Sequence, residues 1–114
     1  MNVLAETPSV DEVFRALADP TRRQVLERLG RSPATVSELA APFDMALPSF
    51  VQHLAVLEKC GLVRSKKRGR VRTVELVPGG ARPAEDWLAG QRALWERRLD
   101  QLDAYLLELK EKRT

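Results

Sequence analysis

Helix-opening and helix-closing residues alternate so closely between Ser9 and Gly61 that this stretch has room only for short helices packed on one another. Ser9 with Glu12 fits a capping box, and Val10, Val13, Phe14 and Leu17 follow at helical spacing, which predicts a first helix over residues 10–18. Asp19-Pro20 restarts the chain, because aspartate is a favoured N-cap and proline is tolerated at the first helical position. A second helix is therefore expected over residues 20–29, with Val25, Leu26 and Leu29 inward and Gly30 at its end. Thr35 with Glu38 forms another capping box, opening a short helix over residues 36–41 that Pro42 stops. After a turn at Phe43, Asp44 and Met45, residues 46–59 are helical again. Their apolar side is Leu47, Phe50, Val51, Leu54 and Leu57, Pro48 is tolerated in the first turn, and Gly61 is the terminator. Ser49, Gln52, His53 and Val56 fall at i, i+3, i+4 and i+7 on the other side.

Beyond this helical block the charge balance changes. Residues 1–60 hold six Lys/Arg against eight Asp/Glu, residues 61–77 six against one, and residues 78–114 seven against seven, so the net surplus of +3 sits in one short segment. Within it, Leu62-Val63 and residues 71–77 read as two strands joined by a turn near Arg68-Gly69. Lysine and arginine also protect exposed strands from pairing, but protection rarely needs the six cations and no anion found from Arg64 to Arg72. Charge concentrated in this way is a footprint for a polyanion, since neutralised phosphates release condensed counterions. Arg68 and Arg70, near the tip, are the candidates for phosphate or minor-groove contact, with Lys66, Lys67 and Arg72 in support.

Pro78-Gly79-Gly80 breaks the chain and Pro83 permits a last helix over residues 84–112, the longest expected element. Leu88, Trp95, Leu102 and Leu109 are spaced seven apart, and Leu99 and Leu106 fill a companion seam; Glu85 and Arg92 interrupt it early. At ~1.5 Å per residue such a helix is about 42 Å long, more than a domain of this size covers by itself. A second copy is therefore expected on the seam from Trp95 onward, with the first turns lying on the parent domain.

The order helix, helix, short helix, turn, longer helix, basic hairpin is that of a winged helix-turn-helix: a mainly α fold with a small β-hairpin, one domain over residues 1–114 with residues 84–112 as its dimerisation helix. In that arrangement the second helix of the pair enters the major groove of double-stranded DNA, ~12 Å wide, and the wing rests on the flanking backbone. Gln52 is the foremost candidate for reading a base, because a side-chain amide bonds bidentately to adenine; Ser49 and His53 flank it. A rival reading is a protein-interaction module whose hairpin merely keeps it soluble. A small-molecule effector pocket between the core and the last helix, lined by Trp87 and Trp95, also stays open.

Other classes find little support. One histidine and one cysteine, His53 and Cys60, are too few ligands for a zinc or copper site, and no other cofactor signature is present. Cys60 at a helix C-terminus reads as a buried structural thiol. No nucleophile with its base and no phosphate-binding glycine loop points to catalysis. No stretch approaches the ~18 apolar residues of a membrane span, and the cytoplasm is the expected compartment.

The segments FRALADPTRRQVLERL and TVSELAAPFDMALPSFVQHLAVLEKCGLVRSKKRGRVRTVEL, within residues 14–77, resemble the arsenic-repressor (ArsR) family of winged-helix regulators. The last segment, with DWL and LWERRLDQLDAYL, is similar to a subgroup often encoded beside START-domain-like proteins. The resemblance implies a homodimer joined by its first and last helices that binds an imperfect palindrome and represses transcription until a signal releases it. Metal-sensing members carry a cysteine pair where this chain has Ser37-Glu38-Leu39-Ala40-Ala41, and the last helix lacks the histidines of other sensors, so metal sensing is not implied. Many members also place serine or threonine where Ala46 stands.

Overall fold

The computed structural model describes residues 9–113. Its elements are α1 (Val10–Leu17), α2 (Pro20–Leu29), β1 (Ala34–Thr35), α3 (Val36–Ala40), α4 (Leu47–Lys59), β2 (Val63–Arg68), β3 (Val71–Leu76) and α5 (Arg82–Lys112). They fall into two compact units, one ending at Ala84 and the other beginning at Glu85.

In the first unit the caps do what their residue types dictate. Ser9 Oγ accepts the Glu12 N–H at 3.1 Å, and Asp19 Oδ2 accepts that of Arg22 at 3.0 Å. The complete capping box forms at α3, where Thr35 and Glu38 each accept the other's backbone N–H at 3.1 and 3.2 Å. α1 stops one residue before the expected end, because Asp19 must turn extended ahead of Pro20 and leaves Ala18 as C-cap. α3 likewise ends at Ala40, with Ala41 as its C-cap.

α4 closes in a complete Schellman motif. Gly61, at φ 82°, lets its own N–H reach the Glu58 carbonyl and that of Leu62 reach the Leu57 carbonyl, both at 3.1 Å. A side chain on Gly80 would place its Cβ 2.3 Å from the Gly61 carbonyl oxygen, so the segment leaving the sheet lies directly on this helix end.

The core beneath these elements comprises Val13 and Ala16 of α1, Val25 and Leu29 of α2, Leu39 of α3, and Phe50, Leu54 and Leu57 of α4. Cys60, Leu62, Val63, Val74 and Ala84 complete it with Ala34. The Phe43 and Phe50 rings pack at 5.5 Å between centroids, tilted by 31°. Cys60 is buried as expected: its Sγ–H donates to the Leu57 carbonyl, and burial pushes the thiol's pKa up.

The expected hairpin forms from β2 and β3, and β1 extends it to a sheet. The sheet has three strands in the order β1-β3-β2, all antiparallel, with Ala34 opposite Val74 and Val63 opposite Leu76. β1 escaped prediction because two residues carry no periodicity and Thr35 doubles as a helix cap. β2 does not stop at Val63 but runs through the basic stretch to Arg68, and the turn is Gly69-Arg70. Gly69, at φ 61°, supplies the left-handed first position that a two-residue hairpin turn of this kind needs. Charged side chains are no obstacle to strand pairing on a ribbon whose faces meet solvent.

α5 starts at Arg82 rather than at residue 84, because its first turn tolerates Pro83. Its seam residues Leu88, Trp95, Leu99, Leu102, Leu106 and Leu109 are between 40% and 64% exposed in the single chain. Among the described residues no helix is long and apolar enough to cross a membrane.

Among the described residues, three carboxylates are more acidic than usual. Asp19 is held down mainly by the Arg22 backbone N–H, Glu38 by that of Thr35, and Glu75 by the Arg64 side chain. A depressed folded-state pKa favours the fold above the ordinary carboxylate range, and this contribution is lost as pH falls through the depressed values. The melting temperature, followed by circular dichroism, should therefore hold steady down to pH ~5 and decline from ~4 downward.

Candidate nucleic-acid interface

α3 and α4 meet through the turn at residues 41–46, and α4 presents the outer face of the pair. Ala46 supplies no side-chain cap, so α4 starts on backbone bonds alone, from Ser49 and Phe50 N–H to the Ala46 carbonyl at 3.0 and 3.1 Å. Its first turn contains no acid.

The structure places Ser49 and Gln52 in solvent on α4, with Pro48, Ala55, Val56 and Lys59 also exposed or partly so. Two residues assigned to the apolar side are corrected: Leu47 is 56% and Val51 36% exposed. The buried stripe is narrower than the spacing suggested, only Phe50, Leu54 and Leu57, and Val51 lies about 100° around the helix from Phe50. His53 is set apart from its neighbours. Its Nδ1 accepts from Arg22 Nη1 at 3.1 Å and lies 3.7 Å from Asp19 Oδ2, so one edge of the ring is turned to α2.

The wing's six cations divide into two sets. Arg64 and Lys66 share Glu75 at 2.7 and 3.1 Å, while Arg72 reaches Glu58 Oε2 at 3.0 Å. Lys67, Arg68 and Arg70 are exposed and form no ion pair among the described residues. The unpaired charge is therefore at the tip, and Lys66 and Arg72 are partly neutralised.

Glu58, absent from the sequence-derived candidates, joins wing to helix. Its two carboxylate oxygens accept from Ser65 Oγ at 2.9 Å and Arg72 Nη2 at 3.0 Å, and Arg72 Nε donates to Ser65 Oγ at 2.9 Å. Its position one turn before the hairpin, opposite a cationic strand, was the available signal. Among the described residues no group of three His, Cys, Asp or Glu is placed to hold a metal ion.

This architecture matches solved structures along most of its length. The crystal structure of an ArsR family transcriptional regulator is 58% identical, with a TM-score of 0.72 over 75% of this chain and 89% of that one. The chain belongs to the ArsR family of helix-turn-helix transcriptional regulators. A helix-turn-helix domain model matches residues 17–66 of this ArsR-family protein. The HTH-type transcriptional regulator Rv2034 of Mycobacterium tuberculosis is 42% identical over 72 residues, which are 63% of this chain and 67% of that protein. The transcriptional repressor SdpR of Bacillus subtilis is 31% identical over 61 residues, 54% of this chain and 68% of its own length. An ArsR-family regulator binds double-stranded DNA and is not an enzyme, as the sequence implied.

Proposed function

We propose that the protein is a homodimeric repressor that acts in the cytoplasm on a palindromic operator, with α4 in the major groove and the wing on the flanking backbone. The observation that carries this reading is the exposed Gln52 face of α4 fastened, through Glu58, to a hairpin whose tip holds the unpaired Lys67, Arg68 and Arg70. Repression is supported by the likeness to a relative named as a transcriptional repressor. Dimerisation through α5 is supported by the exposed seam from Leu88 to Leu109, and makes the whole chain one DNA-binding domain with its own dimerisation helix. Membership of a branch that does not sense metals is supported by Ser37-Glu38-Leu39-Ala40-Ala41 standing where metal-sensing members carry cysteines. A START-domain-like neighbour gene belongs to the same proposal.

Gln52→Ala tests the reading. With the operator first selected from a random duplex pool, the variant should lose ~1–3 kcal/mol of binding and relax preference at one base position per half-site. Equal weakening on cognate and scrambled duplexes would make Gln52 a mere positioning contact. Sedimentation should find two chains per particle, and Leu102→Glu should shift the equilibrium toward one.

A further inference from the structure

Arg22 spends all three of its guanidinium nitrogens at the junction of three helices. Nε donates to the Ala16 carbonyl at 2.8 Å and Nη2 to the Arg15 carbonyl at 3.1 Å, closing the C-terminal end of α1. Nη1 donates to His53 Nδ1 at 3.1 Å, on the recognition helix α4. The backbone N–H of the same residue is bound by Asp19, the N-cap of α2. Arg22 thus ties α4 to the joint between α1 and α2.

The chemistry of this contact sets the imidazole. A guanidinium has donors and no acceptor, so the Nδ1 that meets it must offer its lone pair, and the proton of the neutral ring must sit on Nε2. Asp19 Oδ2 does not compete, because at 3.7 Å it lies beyond hydrogen-bond distance of Nδ1. Nε2 has no hydrogen-bond partner among the described residues, and no buried side-chain nitrogen or oxygen there lacks one, so the Nε2–H edge is open to solvent. His53 lies one residue from Gln52 and one turn from Ser49.

We propose that Arg22 is a positioning residue for DNA recognition: it holds His53 in the Nε2–H tautomer and aims that single donor outward, toward an acceptor on the duplex. The donor complements Gln52, whose amide both gives and accepts, and it suits a phosphate oxygen or an acceptor-only base edge. The proposal rests on the placement of α4 in the groove given above.

His53 is the only histidine of the chain, so a full-length sample labelled with 15N-histidine gives one pair of ring nitrogens. In the free protein near pH 8, Nδ1 should resonate as an unprotonated and Nε2 as a protonated nitrogen, with no averaging between tautomers. In Arg22→Lys, which keeps the charge and loses the fork, the pair should move toward the averaged values of free imidazole. On saturation with a duplex selected from a random pool, the wild-type Nε2–H should shift. His53→Ala and Arg22→Lys should each bind that duplex ~5–10-fold more weakly, and the double variant no more weakly than His53→Ala.

An Nδ1–H tautomer in the free protein overturns the proposal, as does an unmoved Nε2–H in a complex that fluorescence anisotropy shows to be saturated. If Arg22→Lys fails to fold, the wild-type spectra still decide. Absence of any complex by anisotropy would instead sink the placement of α4, and the free-protein spectrum would then decide the tautomer separately.

Discussion

Phe50→Ala is expected to cost ~3–5 kcal/mol of folding free energy, a large share of the ~5–15 kcal/mol that holds a domain together. Phe50 is fully buried, the largest such side chain among the described residues, and packs on the Phe43 ring at 5.5 Å. It also sits on α4, between the exposed Ser49 and Val51, so the residue that anchors the core is covalently flanked by the candidate DNA-facing surface. Truncation leaves a cavity that α4 fills only by shifting, and it removes the aromatic contact as well. Urea titration followed by circular dichroism measures the loss, with Ser49→Ala as the neighbouring control expected within ~0.5 kcal/mol of wild type. A Phe50 variant as stable as that control would mean that the core beneath α4 is not packed as described.

Replacing Lys67, Arg68 and Arg70 together with alanine removes six cations from a dimer seated on both half-sites, and should lower the slope of log affinity against log salt by about 5 and weaken binding at low salt by at least about two orders of magnitude. Availability separates these cations from the rest of the wing. All three are exposed and form no ion pair among the described residues, whereas Arg64 and Lys66 lean on Glu75, and Arg72 on Glu58. A paired cation must give up its carboxylate before it serves a phosphate, so Arg64→Ala with Lys66→Ala should change the slope by less than half as much. Anisotropy titrations of one duplex at several salt concentrations separate the two variants. Equal slopes for both would refute the division of the wing into paired and unpaired charge.

Much of the helical framework is legible in the residues themselves. Local signals sufficed for the caps at Ser9, Asp19 and Thr35, the stop at Gly61 and the basic hairpin, because each depends on residues within a turn of one another. Errors arose where a local pattern admitted two outcomes. Leu47 and Val51 are apolar and near the inner stripe, but only the packing of Phe50, Leu54 and Leu57 decides how wide that stripe is. β1 is too short to have a period.

The candidate residues that spacing does not reveal, Arg22 and Glu58, are held by distant partners. Arg22 meets His53 from 31 positions away and Glu58 meets Arg72 from 14, and neither separation leaves a trace in spacing. The pairing of Arg64 with Glu75 was nearer to hand: once Gly69-Arg70 is seen as a two-residue turn, the ladder sets those residues opposite each other.

The Glu58 bridge bears on how the molecule would grip. A carboxylate that holds both Ser65 and Arg72 makes the hairpin's tilt a property of α4 rather than of its own turn, so the two behave as the fixed jaws of one calliper. A duplex engaged by both jaws must then match their gap or deform to meet it. Preference among sequences would thereby extend to base pairs that no side chain touches, through the stiffness of the steps between the grooves.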